Sequence, residues 1–173
     1  MEFTYELKNG IGLDLSGIKK LEKDIRGIQK RHIKYGWFDG KSYPASHDNA
    51  GLPIAQVANW QEYGLSRGEG KTPIPARPYF RQTNTMIWHN YKDSFKGIFT
   101  DALHGIDTTN KLNTLAAKIP FTYRMSVMKQ NYPKLSDYTV ALKGHTYQMF
   151  DSGVMVNSFN AKVYRTSQDN IQD

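Results

Sequence analysis

The chain has 173 residues, of which 39% are hydrophobic and 13% aromatic, with no cysteine and a formal net charge of +7. A domain of this length buries roughly 70% of its unfolded surface, so it needs no disulfide or metal staple, and the lack of cysteine excludes thiolate metal sites and cysteine nucleophiles. The basic balance suits nucleic acid or an acidic partner, and no stretch approaches the roughly 18 consecutive apolar residues of a membrane span.

Met1 to Glu6 has no basic head followed by an apolar run, which predicts no secretion signal. Met1 to Leu7 alternates apolar and polar residues and predicts an edge strand over 2–7. Ser16 is positioned to cap a helix running to about Arg31, with Ile18, Leu21, Ile25 and Ile28 forming one apolar stripe and basic residues on the opposite face. His32 to Phe38 reads as a strand with Ile33, Tyr35 and Trp37 on one side. A loop covers Asp39 to Leu52. Pro53 then opens a helix carrying Ile54, Val57, Ala58, Gln61 and Glu62, which Gly64 stops.

A second long loop covers Leu65 to Pro78. Tyr79 to Leu103 has no proline, and its apolar spacing predicts one long helix that His104-Gly105 closes. Asp107 or Thr108 is positioned to cap the next helix, through Leu112, Leu115, Ala116 and Ile119. Pro120 predicts a kink or break there, with helix resuming at Met125 to Lys129. Ser136 to Ala141 reads as a short helical turn, Asp151 as the N-cap of a turn through Val156, and Phe159 to Tyr164 as a last strand. Residues 1–165 form one predicted domain, and the polar stretch 166–173 a frayed tail. The predicted fold class is α+β: a small, mainly antiparallel sheet from 2–7, 32–38 and 159–165, packed against several helices with the one at about 79–103 central.

Two segments imitate catalytic motifs. Gly64 to Thr72 ends in Gly-Lys-Thr, but Leu65 stands where a P-loop needs its first glycine, and Pro73 and Pro75 prevent a helix from starting at once. Phe150-Asp151-Ser152-Gly153 matches one half of an aspartic-protease site, whose chemistry needs two carboxylates sharing a proton. The five histidines share no metal-ligand spacing, so the sequence predicts no enzyme, cofactor or metal site. Basic and aromatic residues interleave at Arg77, Tyr79, Phe80 and Arg81, and again at Tyr123 and Arg124. That pattern suits a protein interface, or alternatively single-stranded nucleic acid.

Four segments carry a resemblance. Ile54-Ala55-Gln56-Val57-Ala58-Asn59-Trp60-Gln61-Glu62-Tyr63-Gly64 is followed by Ile74-Pro75-Ala76-Arg77-Pro78-Tyr79-Phe80-Arg81, and further on come Asp137 to Lys143 and Phe150 to Phe159. In this order they resemble the neck and tail-completion proteins of tailed bacteriophages, including minor tail and virion morphogenesis components. There a "V-A-x-x-N-E-F/Y-G" helix leads to an "I-P-A/P-R-P-F-F/L-R" segment that opens a long helix. Trp60-Gln61, the long loop 65–72 and Ser152 depart from that pattern.

The resemblance implies a virion structural protein at the head-proximal end of the tail, made in the host cytoplasm. Its partners would be a tail-terminator ring, a head-completion or connector protein and further copies of itself, near DNA and away from membranes. A heterologous interface that closes gives a ring. The subunit interface is expected at Arg67, Lys71, Ile74, Arg77, Tyr79, Phe80 and Arg81, with turn or cap roles for Gly64, Pro75, Pro78, Asp151 and Gly153. The rival class is a basic nucleic-acid-binding module.

Overall fold

The computed structural model describes residues 16–29, 31–66, 68 and 73–165. The expected strand at 2–7, the tail 166–173, and Arg67 and Lys71 lie outside them. In chain order the elements are α1 (Ser16–Gln29), β1 (Arg31–Gly36), α2 (Ile54–Tyr63), α3 (Tyr79–Leu103), α4 (Thr109–Met128), α5 (Asp137–Lys143), α6 (Val154–Ser158) and β2 (Asn160–Arg165). The class is α+β, with the described strands forming one two-stranded antiparallel sheet.

The long helix α3 covers the expected span. Helix α4 folds back along it, so that Ser126 Oγ reaches the Tyr79 carbonyl at 3.2 Å near one end, while Lys111 pairs with Asp101 near the other. Leu112, Leu115, Ala116, Ile119, Thr122, Tyr123, Ser126 and Val127 are all buried. Their spacing is that of one helix face, and it continues across Pro120 without a change of phase. Of the kink or break expected at Pro120, the break does not occur: α4 runs unbroken from Thr109 to Met128. Proline inside a helix costs about 3 kcal/mol, from one lost hydrogen bond and a clash with the preceding turn. Burial of apolar side chains on both sides of it offsets that cost.

Asp107, one residue before the boundary residue Thr108, supplies the side chain at the start of α4. It accepts the Thr109 N–H at 3.0 Å and Arg31 Nη1 at 2.5 Å. These partners, Thr109 first and then Arg31, hold its carboxyl well below the usual carboxylate range.

Strands β1 and β2 pair from Arg31↔Arg165 to Gly36↔Asn160. Alternation turns Ile33, Tyr35 and Ala161 inward, and Trp37 follows them just past the strand. They meet a core of Tyr79, Ile87, Ile119, Tyr123, Val127, Val156 and Phe159. Tyr123 stacks on Phe159 with ring centroids 4.1 Å apart, and Trp37 meets Tyr123 edge-on at 5.4 Å. A second cluster of Tyr43, Ile54, Val57, Ala58 and Met155 lies beside it. Trp37 borders both clusters, and its Nε1 donates to the Met155 carbonyl at 2.8 Å.

Candidate functional site

Two of the segments that carried the resemblance, Ile54–Gly64 and Ile74–Arg81, meet at the start of α3. Pro78 precedes this helix and has no side-chain acceptor to offer, so the first-turn N–H groups need another partner. Glu62, on the last turn of α2, provides it. Its carboxylate accepts the N–H of Phe80 at 2.8 Å and of Arg81 at 3.1 Å. A buried anion there also meets the positive end of the helix dipole. Arg81 closes the arrangement, with Nε on Glu62 Oε1 at 3.0 Å and Nη2 on the Glu62 carbonyl at 3.3 Å.

Gly64 makes this turn sterically feasible. Its φ is +76°, and an added Cβ would lie 2.8 Å from the Ile74 carbonyl oxygen and 3.1 Å from the Ala76 nitrogen. Leu65 and Ile74 then exchange backbone hydrogen bonds at 3.0 and 2.9 Å, closing the loop at its base. The Arg77 N–H returns to the Gln61 carbonyl at 2.6 Å. Pro75 and Pro78 lie on the closing stretch and stiffen it by fixing φ.

Arg77 and Tyr79 face inward, which corrects the expectation that they form a subunit interface. Arg77 is buried, with Nε donating to the Pro133 carbonyl at 3.3 Å and Nη2 to the Lys134 carbonyl at 3.5 Å. Burial pulls its guanidinium pKa below the ordinary value, against an opposing contribution from Tyr79. Tyr79 is fully buried, and its hydroxyl donates to Gln148 Oε1 at 2.5 Å. Burial is the main cause that pushes its pKa up to about 12. Gln148 in turn donates through Nε2 to the Tyr132 carbonyl at 2.7 Å. Arg77 and Tyr79 together therefore fasten the segment 130–148 to the root of α3.

Phe80 is half-buried against Tyr35, Trp37 and Phe159. Ile74 is half-buried at the loop base, and Arg81 keeps 59% of its side chain exposed while engaged with Glu62. Arg77 and Arg81 do not project together: one turns to 133–134 and the other to α2. Tyr123 is also buried, so it offers no ring to a ligand, whereas Arg124 is exposed.

Asp151 is not a helix cap, which is a second correction. Gly153, with φ +75°, precedes α6, and Asp151 lies two residues earlier. The turn at Gly153 directs the Asp151 carboxylate towards His47, whose Nε2 lies 3.2 Å away. His47 Nδ1 accepts the Asn49 N–H at 3.0 Å, and its ring lies 4.4 Å from that of Tyr43. Tyr43 is pushed up to about 12 by burial first and Asp151 second. This cluster fastens the loop before α2 to the turn before α6.

No protein-family model, curated protein or solved structure matches the chain.

The outward apolar side chains lie elsewhere. On α4, Ala117, Phe121, Met125 and Met128 recur at spacings of four, four and three on the side away from the core. Phe121 and Met128 are 62% and 66% exposed. On α3, Trp88 and Phe99 are exposed, and on α5 so are Tyr138 and Leu142. The series on α4 is legible in the sequence as a second apolar stripe. The kink or break expected at Pro120 concealed it by dividing the helix. Among the described residues, no helix is long and apolar enough to cross a membrane.

Proposed function

We propose that this chain is a non-enzymatic virion structural protein of a tailed phage, acting at the head-proximal end of the tail. In this reading it joins tail to head through protein interfaces in a ring-like assembly. The observation that carries the assembly reading is the outward seam Phe121, Met125 and Met128 on α4. Large apolar side chains grouped on one exposed face are interface material. The phage assignment rests on the resemblance of the segments from Ile54 to Arg81 and from Asp137 to Phe159. The contacts of Glu62, Arg77, Tyr79 and Arg81 give the residues of the first two segments a structural role, because they tie the end of α2 and the segment 130–148 to the start of α3.

In this reading the interface includes the outward face of α4, while Arg77 and Tyr79, buried within the single chain, take no part in it. Partners in this reading are further copies of the chain, a tail-terminator ring and a head-completion or connector protein. It is made in the host cytoplasm and ends in the virion.

Particles assembled without the protein test the proposal by electron microscopy. Separate heads and tails, or aberrant tails, are expected, and normal infectious virions would overturn it.

A further inference from the structure

The outer face of the two-stranded sheet is lined by aromatic rings and like charges. Antiparallel register sets His32 opposite Tyr164 and Lys34 opposite Lys162. These residues alternate with the inward set, so their side chains share the other face, which Phe38 extends. His32 stacks on Tyr164 with centroids 6.0 Å apart and 16° between planes, and Phe38 lies 6.3 Å from Tyr164. Lys34 Nζ lies 4.8 Å over the Tyr164 ring, and Lys162 Nζ lies 4.9 Å over the Phe38 ring.

Two lysines directly opposite each other destabilise a strand pair, whereas a lysine opposite a glutamate would support it. Strand residues 31–36 and 160–165 include Arg31, Lys34, Lys162 and Arg165 and no acid, with Asp39 the nearest acid in sequence. Arg31 is engaged by Asp107, while Arg165 and Lys162 are exposed. His32 and Lys34 also make other contacts, so the weight falls on Lys162, Tyr164 and Phe38.

A face built this way carries both recognition elements of a single-stranded nucleic acid. Aromatic rings accept bases by stacking, and lysines on flexible stems beside them meet the phosphates between bases. A duplex keeps its base faces covered and would engage the cations alone. We infer that the outer sheet face of Phe38, Tyr164 and Lys162 binds single-stranded nucleic acid, with bases on the rings and a phosphate on the lysine. Cation–π contacts hold each ammonium close to its ring. This inference stands on the sheet face and does not require the assembly reading above.

Fluorescence anisotropy with the full chain and a labelled oligo-dT of about 16 nucleotides tests it. Binding should weaken steeply as salt rises. The change Lys162→Gln should weaken it several-fold. Tyr164→Leu should weaken it by a similar factor, and Tyr164→Phe should leave it unchanged. No binding at low salt overturns the inference. So does undiminished binding by the lysine variant, or equal affinity for a duplex together with a neutral Tyr164→Leu. Should a variant fail to fold, photocrosslinking of the unaltered protein to an iodouracil oligonucleotide decides the matter. Crosslinks at Phe38 or Tyr164 support the site, and crosslinks confined to other elements overturn it.

Discussion

Glu62 and Arg81, on different helices, are joined at both backbone and side chain. The carboxylate of Glu62 takes the Arg81 N–H at 3.1 Å and its Nε at 3.0 Å, and the Glu62 carbonyl takes Nη2 at 3.3 Å. One acidic side chain on the last turn of α2 thus satisfies the first turn of α3 and ties the two helices together.

Loss of the carboxylate should cost more than loss of the cation. Glu62→Ala strands two first-turn N–H groups in a partly buried place, and a loss of about 2–3 kcal/mol is expected. Arg81→Ala should cost about 0.5–1 kcal/mol, because its guanidinium is 59% exposed to solvent screening. Urea midpoints at constant m-value measure both. An unchanged midpoint for Glu62→Ala would remove Glu62 as the cap of α3.

Three glycines should respond to alanine in a set order. Gly64→Ala combines a φ of +76° with a backbone contact at 2.8 Å and should lose about 2 kcal/mol or more. Gly153→Ala has a φ of +75°, but its nearest contact, at 3.1 Å, is the movable Asn157 side chain, so a loss of about 1 kcal/mol is expected. Gly97 lies inside α3 with open space around it, and Gly97→Ala should gain about 0.5–1 kcal/mol. Thermal melts of the three variants give the ranking, and any other order contradicts the steric account.

Tyr123→Phe should leave stability unchanged or raise it by about 1 kcal/mol. The Tyr123 hydroxyl is buried and, among the described residues, has no hydrogen-bond partner, while its ring carries the packing against Phe159 and Trp37. Removing an unsatisfied polar atom spares its desolvation cost and keeps the ring. A marked drop in chemical stability would mean that the hydroxyl does find a partner.

Stability should fall at high pH. Burial, the main cause, raises both Tyr43 and Tyr79 to about 12 in the folded chain. An unfolded tyrosine ionises near 10, so between about pH 10 and 12 the unfolded state loses protons that the folded state keeps. Each phenol then withdraws on the order of 1.4 kcal/mol per pH unit, with the full contribution present below about pH 10. Urea titrations at rising pH should show this slope, and Tyr43→Phe should flatten part of it.

Met128→Lys on the outward seam should disrupt oligomers while changing monomer stability by no more than about 0.5 kcal/mol. Light scattering after size exclusion reads assembly, and a melt reads stability. An unaltered oligomer mass would exclude the seam from the interface.

The sequence by itself determined most elements of this protein. Apolar spacing located α3, Gly64 marked the end of α2, and the alternation around Ile33 and Tyr35 located β1, because each signal depends on local sterics and on which side chains avoid water. It also showed a local pattern over residues 54–81, a helix stopped at Gly64 and then a loop stiffened by Pro75 and Pro78 before the long helix. Tertiary structure decided what that pattern does. Arg77 and Tyr79 read as surface residues because arginine and tyrosine are common at interfaces. Their burial depends on carbonyls at Pro133 and Lys134 and an amide at Gln148, more than fifty residues away. Pro120 read as a kink or break because the local penalty was legible and the flanking burial was not. The sheet face was hidden for the same reason: His32, Lys34, Lys162 and Tyr164 become neighbours only when two strands from opposite ends of the described chain pair in one register.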